Sequence, residues 1–144
     1  MTTMSPPQRM LLLQQGITET PYSLAAATYL LLAAGLGVRE ELLPYLQTGP
    51  LRRGDRPDSH PPTLCAWIAH DDWPKLEAAL DSGKGLGPGP RALLRLAVSL
   101  AGGTPVELLH EVSEVYRWRG PDGAAHVAHA VMLAMGHPGH TLGE

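Results

Sequence analysis

The longest apolar stretch of the chain, Leu24 to Val38, is interrupted by Thr28 and ends at Arg39. It falls short of the ~20 residues that a membrane-crossing helix needs, so the rest of the protein has to enclose it. Thr20 followed by Pro21 reads as an N-cap with proline in the first helical position, and the Leu/Ala-rich run predicts a helix from there to about Ala34. It is apolar nearly all round, which predicts a buried central helix. Gly35 and Gly37 mark its end.

What surrounds that helix is also expected to be helical. Strand signals are nearly absent: the chain has no Phe, its β-branched residues do not cluster, and no stretch alternates cleanly between apolar and polar. The segment VREELLPYL predicts a second helix. The proline-rich loop TGPLRRGDRPDSHPP follows, then two short helices in TLCAWIAH and DDWPKLEAALDSG, hinged near Asp71 to Pro74. KGLGPGP is the clearest break. Beyond it Leu93, Leu96, Ala97, Leu100 and Ala101 recur at helical spacing, with Arg91 and Arg95 on the other side. Gly102 and Gly103 stop that helix, and Thr104 and Pro105 predict the cap of the next, running to about Arg119. Gly120-Pro121-Asp122 opens a last helix with Ala128, Val131, Met132 and Met135 on one face. The tail HPGHTLGE is expected to be mobile.

The 144 residues fit a single all-α domain, and 44 % hydrophobic content is ordinary for a globular chain. Its 16 glycines and 14 prolines make up about a fifth of the residues, below the ~25–30 % that marks disorder. A net charge of −3 offers no basic field, so nucleic acid is not an expected partner, and neither is a membrane. The short MLLL run is too brief for a signal-peptide core. With Cys65 the only cysteine, no disulfide can close within the chain, which fits a soluble cytoplasmic protein.

The two halves echo each other. Shifting by 66 residues pairs Ala26 with Ala92, Leu30 with Leu96, Gly37 with Gly103, Glu41 with Glu107, Leu42 with Leu108 and Leu43 with Leu109. Shifting by 64 pairs Pro57-Asp58 with Pro121-Asp122, Ala66 with Ala130 and Pro74 with Pro138. The change of shift falls before the proline-bearing loop, where a length change costs least. Two degenerate repeats of helix, helix, loop, helix are expected, over about residues 20–82 and 86–140.

The second half, LGPGPRALLRLAVSLAGGTPVELLHEV followed by GHPG, resembles the carboxymuconolactone decarboxylase and alkylhydroperoxidase D (AhpD-like) group. Arg91, Gly102, Gly103, His110, Gly136 and Pro138 sit close to that family's Arg-bearing helix, glycine or cysteine break, His-bearing helix and closing glycine-to-proline phrase. Gly37, Gly54, Trp73 and Pro74 echo the pattern in the first half. The resemblance implies an all-helical, internally duplicated, oligomeric protein. It also implies where chemistry is missing. The family's Cys-x-x-Cys positions fall near Gly103 and Val106, and its glutamate falls at Ala92, so a thiolate attack followed by disulfide resolution has no residues to perform it.

His110 with Glu107 and Glu111 is then the remaining candidate acid/base set. The plainer reading makes His110 a surface residue in weak charge pairs with Glu107 and Glu114, three and four positions away. His126, His129 and His137 return to one helical side and are weak candidates for a divalent metal, with no acidic or thiol fourth ligand evident. Cys65 is expected to be a buried structural thiol. Arg52, Arg53 and Arg56 read as a solvated basic loop, and Trp67 and Trp73 as packing for the hinge. The functional expectation is a catalytically degenerate AhpD-like protein without cofactor, binding a small molecule or serving as a homo-oligomer subunit. The alternatives are a helical-repeat interaction module and a cofactor-free, decarboxylase-like acid/base enzyme using His110.

A chain with one cysteine should not consume peroxide in the presence of a dithiol reductant. Peroxide turnover measured for the wild type and Cys65→Ala is expected at background in both. Turnover that disappears in the variant would refute this expectation.

Overall fold

The computed structural model describes residues 4–82 and 85–136. Six α-helices lie in them: α1 (Pro6–Glu19), α2 (Tyr22–Ala33), α3 (Trp73–Ser82), α4 (Pro88–Gly102), α5 (Leu108–Arg119) and α6 (Pro121–Ala134). Between α2 and α3 the chain makes 3-10 turns and two antiparallel strands, β1 (Leu46–Leu51) and β2 (Thr63–Ile68). The fold is mostly helical but not all-α.

Helix α2 is the centre, as its composition requires. Ala25, Ala26, Ala27, Leu30 and Leu31 are fully buried, and α1, α4, α6 and β2 all pack against it. Its start differs from the expected one. Pro21 is the N-cap, and Thr20 closes α1 instead, its hydroxyl donating to the Gly16 carbonyl at 2.7 Å. Sequence reasoning passed over α1 itself. Ser5 and Gln8 form a reciprocal capping box, with Pro6 and Pro7 in the first turn.

The hairpin replaces two expected helices. VREELLPYL folds as 3-10 turns over Leu36–Val38 and Glu40–Tyr45, because Pro44 lacks the amide that a longer helix would need. TLCAWI is β2, paired from Leu46↔Ile68 to Leu51↔Thr63. Its signal is faint because Cys65 and Ala66 are both buried, which breaks the alternation of a half-buried strand. The reason is α1, which crosses β2 so closely that a Cβ on Gly16 would collide with the Ala66 carbonyl oxygen. Gly49 and Pro50 sit in β1, where a two-stranded sheet leaves an unpaired edge that tolerates a missing donor.

The Arg52–Arg56 loop is not a freely solvated basic patch. Arg53 donates through Nε to the Thr20 carbonyl at 2.8 Å and through Nη2 to the Ile17 carbonyl at 2.6 Å. Its guanidinium also lies 4.3 Å from the centre of the Tyr22 ring. Glu19, only 4 % exposed, is the hub. It accepts from the Arg53 amide and the Thr63 hydroxyl, and meets His60 Nε2 at 3.0 Å and Arg56 Nε at 3.4 Å. Burial pushes the Glu19 carboxyl up. The hydrogen bonds from Arg53 and His60 and the Arg56 charge outweigh it and hold the group below its ordinary range.

Two further expectations are corrected in the second half. Gly103 does end α4 in the left-handed conformation (φ 74°), but Thr104 and Pro105 do not cap a helix. Residues 103–107 run on as a strap and α5 begins at Leu108 after Glu107, because proline turns the preceding Thr104 away from helical geometry. In α6 the buried residues are Val127, Ala130 and Leu133, with Gly123, while Val131 and Met135 are 41 % and 69 % exposed. That helix is apolar on more than one side, so spacing alone chose the wrong one. The matched pairs of the two halves coincide in α2 and α4. Further on they fall on unlike elements: Leu42 in a 3-10 turn against Leu108 in α5, Ala66 in β2 against Ala130 in α6.

Replacing Glu19 by Gln should cost about 1.5–3 kcal/mol at neutral pH, the range for hydrogen bonds to a charged group. A carboxyl held low in the folded state contributes its stability above the ordinary carboxylate range and loses it as pH falls through the lowered value. Denaturant unfolding of wild type and Glu19→Gln should therefore converge on acidification. A gap that stays constant down to pH 3 would contradict the clasp.

Candidate functional site

Two clefts lie on either side of the strap, which contributes Pro105 and Val106 to both. The first, about 410 Å³, is apolar. Leu30 of α2, Leu96 and Leu100 of α4, Leu108 of α5 and Val127 and Val131 of α6 line it, with Ser99 as its one polar side chain. The elements dictate this composition. Leu30 and Leu96 belong to the core, so the cleft reaches down to it, while Leu108 and Val131 form an exposed rim.

The second, about 340 Å³, is where sequence reasoning placed its acid/base set. Glu107, His110 and Glu111 are indeed brought together, joined by Glu77 of α3 and Arg95 of α4. Their environments differ. Glu111 is 4 % exposed, with Oε2 3.6 Å from Arg95 Nη1 and Oε1 without a hydrogen-bond partner among the described residues. Burial, then the Asp81 charge, pushes the Glu77 carboxyl up, with Arg95 acting against it and Glu111 adding to it. His110 is exposed and makes no hydrogen bond or ion pair to the described residues, so nothing there orients its ring. General acid/base catalysis needs a positioned group. This arrangement leaves His110 closer to the plainer reading, although the pairs expected with Glu107 and Glu114 are not made; Glu114 pairs with Arg117 at 2.8 Å.

The metal candidates are engaged otherwise. His126 Nδ1 is 2.7 Å from the Tyr29 hydroxyl, and the His129 ring lies 4.5 Å from the Tyr29 ring, centre to centre. Burial pushes the Tyr29 phenol up, keeping it protonated. His137 lies outside the described residues, as does the tail. Among the described residues no group of three His, Cys, Asp or Glu side chains is placed to hold a metal ion. Cys65 is buried as expected, and burial, then the Glu19 charge, pushes its thiol up and away from thiolate reactivity. Trp73 is buried too, its indole donating to the Ile68 carbonyl at 3.2 Å.

Sequence reasoning missed the apolar cleft and Glu77. A signal was present in Val106 and Leu108, apolar residues flanking an exposed turn. The helix start expected at Thr104-Pro105 placed them inside a helix rather than on a cleft wall.

No protein-family model matches this chain, and neither a curated protein nor a solved structure does. The AhpD-like resemblance therefore rests on the residues quoted for it alone. No helix among the described residues is long and apolar enough to cross a membrane.

Glu77 tests the electrostatics of the polar cleft. A carboxyl whose folded pKa is raised loses stability as pH rises through its ordinary value toward the raised one. Glu77→Gln should therefore melt at a higher temperature than wild type near pH 7, and the difference should vanish below about pH 4. Equal melting temperatures at pH 7 would mean that Glu77 feels neither burial nor its acidic neighbours.

Proposed function

We propose that the protein binds a small apolar molecule in the cleft enclosed by α2, α4, α5, α6 and the strap. The observation that carries this reading is the cleft's lining, apolar apart from Ser99 and continuous with the core at Leu30 and Leu96. Its volume of about 410 Å³ falls within the ~300–1,000 Å³ of small-molecule sites, which are mostly apolar with few polar groups. Ser99 is the group that can fix a ligand's orientation. In this reading the ligand is recognised by burial of apolar surface, and neither His110 nor a cofactor takes part. The cleft serves that function whatever the ancestry of the helices around it.

The test uses N-phenyl-1-naphthylamine, an uncharged apolar probe whose fluorescence rises on leaving water. Saturable one-site binding is expected. Val131→Trp, which fills the mouth from an exposed position, should weaken binding at least about tenfold, or ~1.4 kcal/mol, without lowering the melting temperature. His110→Ala should leave binding unchanged. Non-saturating fluorescence, or affinity indifferent to Val131→Trp, would refute the assignment.

A further inference from the structure

The charged cleft beside the strap holds a donor group and an acceptor that the chain leaves unmatched. Arg95 Nη1 stands 3.6 Å from Glu111 Oε2, beyond hydrogen-bond range. The Arg95 guanidinium makes no hydrogen bond with the described residues, and its side chain is 42 % exposed, so its donors are open to a ligand. Glu111 is the converse. Its side chain is only 6 % exposed, and its Oε1 has no donor among the described residues. A buried acceptor without a donor is destabilising. Because Glu111 lines the cleft, a donor carried in by a ligand removes that cost.

Negative charge is in excess there. Glu77, Glu107 and Glu111 line the cleft with Arg95, and the neighbouring Asp81 is already paired with Arg91 at 3.2 Å. The raised Glu77 carboxyl reports that field: burial lifts it first, then the Asp81 charge, and Glu111 adds to the lift against Arg95. A simple cation would enter beside Arg95 and leave its donors unused. A simple anion would add to the excess and leave Glu111 Oε1 unmatched. We propose that this cleft binds a free α-amino acid with an aliphatic side chain. Its carboxylate meets Arg95, its ammonium lies between Glu107 and Glu111, and its side chain rests on Val98 and Val106. A carboxylate accepts from two N–H groups of a guanidinium at once, and an ammonium brings three donors to the carboxylates around it. The cleft's volume of about 340 Å³ lies toward the lower end of the ~300–1,000 Å³ of small-molecule sites, which suits a ligand of this size. This site is separate from the apolar cleft across the strap and does not depend on what that cleft binds.

Titration calorimetry of the full chain with L-leucine tests this, and saturable binding of one leucine per chain is expected. Isocaproate keeps the side chain and carboxylate but lacks the ammonium, while isoamylamine keeps the side chain and ammonium but lacks the carboxylate. Each should bind at least about tenfold more weakly than leucine. Arg95→Gln and Glu107→Gln alter side chains open to solvent, so both variants should fold, as circular dichroism will show. Each should weaken leucine binding at least about tenfold. Saturating leucine should leave the fluorescence of bound N-phenyl-1-naphthylamine unchanged. Absence of saturable leucine binding, or displacement of that probe by leucine, would overturn the site. Isoamylamine binding as tightly as leucine would overturn the role of Arg95, and isocaproate doing so would overturn that of the glutamates.

Discussion

A helix without a polar face cannot lie on a surface, and α2 is such a helix. Six of its twelve residues are buried, so the elements packed around it are placed by the need to keep water from it. Helix α4 covers one side and α6 another, while α1 and β2 close the remainder. The chain can do this without a large sheet because Ala25, Ala26 and Ala27 let neighbouring backbones approach closely. Dense packing of this kind gains dispersion contacts that a looser arrangement would forfeit. The arrangement has a consequence at the ends of α2, where carbonyls left over by the helix need partners. Arg119 donates to the Ala33 carbonyl at 2.9 Å, tying the end of α5 to the end of α2. Arg9, 1 % exposed, donates to the Gly37 and Val38 carbonyls just beyond and to Met4. With one carbonyl accepting from each of its three nitrogens, the buried guanidinium is held without a carboxylate and ties down the turn that follows α2.

At the opposite end of α2, the Glu19 clasp has a similar role by different means. It gathers the corner between α1 and α2, the long loop and the start of β2 onto a single carboxylate. Beyond those contacts, the loop between β1 and β2 has its two-stranded ladder, the Arg53 and Arg56 bonds to carbonyls at the end of α1, and the Tyr22–Asp55 contact to hold it. Two-stranded hairpins are marginal in water. Here the hairpin is held on one side by α1 crossing β2 at Gly16 and on the other by charged hydrogen bonds, and its own sequence needs little strand preference.

That explains why the fold was only partly legible. The helices α2, α3, α4, α5 and α6 could be read because their stability comes from features local in sequence: apolar spacing, glycine stops, proline starts. The hairpin could not. Cys65-Ala66 and Gly49-Pro50 are poor strand residues, made strand by contact with α1, a partner about fifty positions away in the chain. The basic loop was misread for the same reason, since Arg53 and Arg56 look solvated until the carbonyls of α1 arrive beside them. For the clefts, sequence spacing correctly gathered Glu107, His110 and Glu111, which neighbour one another on one segment. It could not supply Glu77, Arg95 or Leu30, which only the folded chain brings there.

The strap over residues 103–107 is where these constraints meet the proposed binding cleft. Had Thr104-Pro105 begun a helix, α5 would start one turn earlier and the space between α4 and α5 would be closed by helix packing. Gly103 turns left-handed instead, and the restriction that Pro105 places on Thr104 keeps the segment out of the helix. Pro105 and Val106 thereby become a thin shared wall, apolar toward Leu30 and Leu96, with Glu77, Arg95 and Glu111 on the other side. Charge and apolar surface are separated by two residues, so an apolar molecule gains little by entering the charged side. Desolvating Glu107 or Arg95, the exposed charges of that cleft, without a matching partner costs more than the apolar contacts return. The backbone restriction at one Gly-Thr-Pro sequence therefore separates an apolar cleft from a charged one, and in the proposed reading that separation would direct an uncharged ligand to the apolar side.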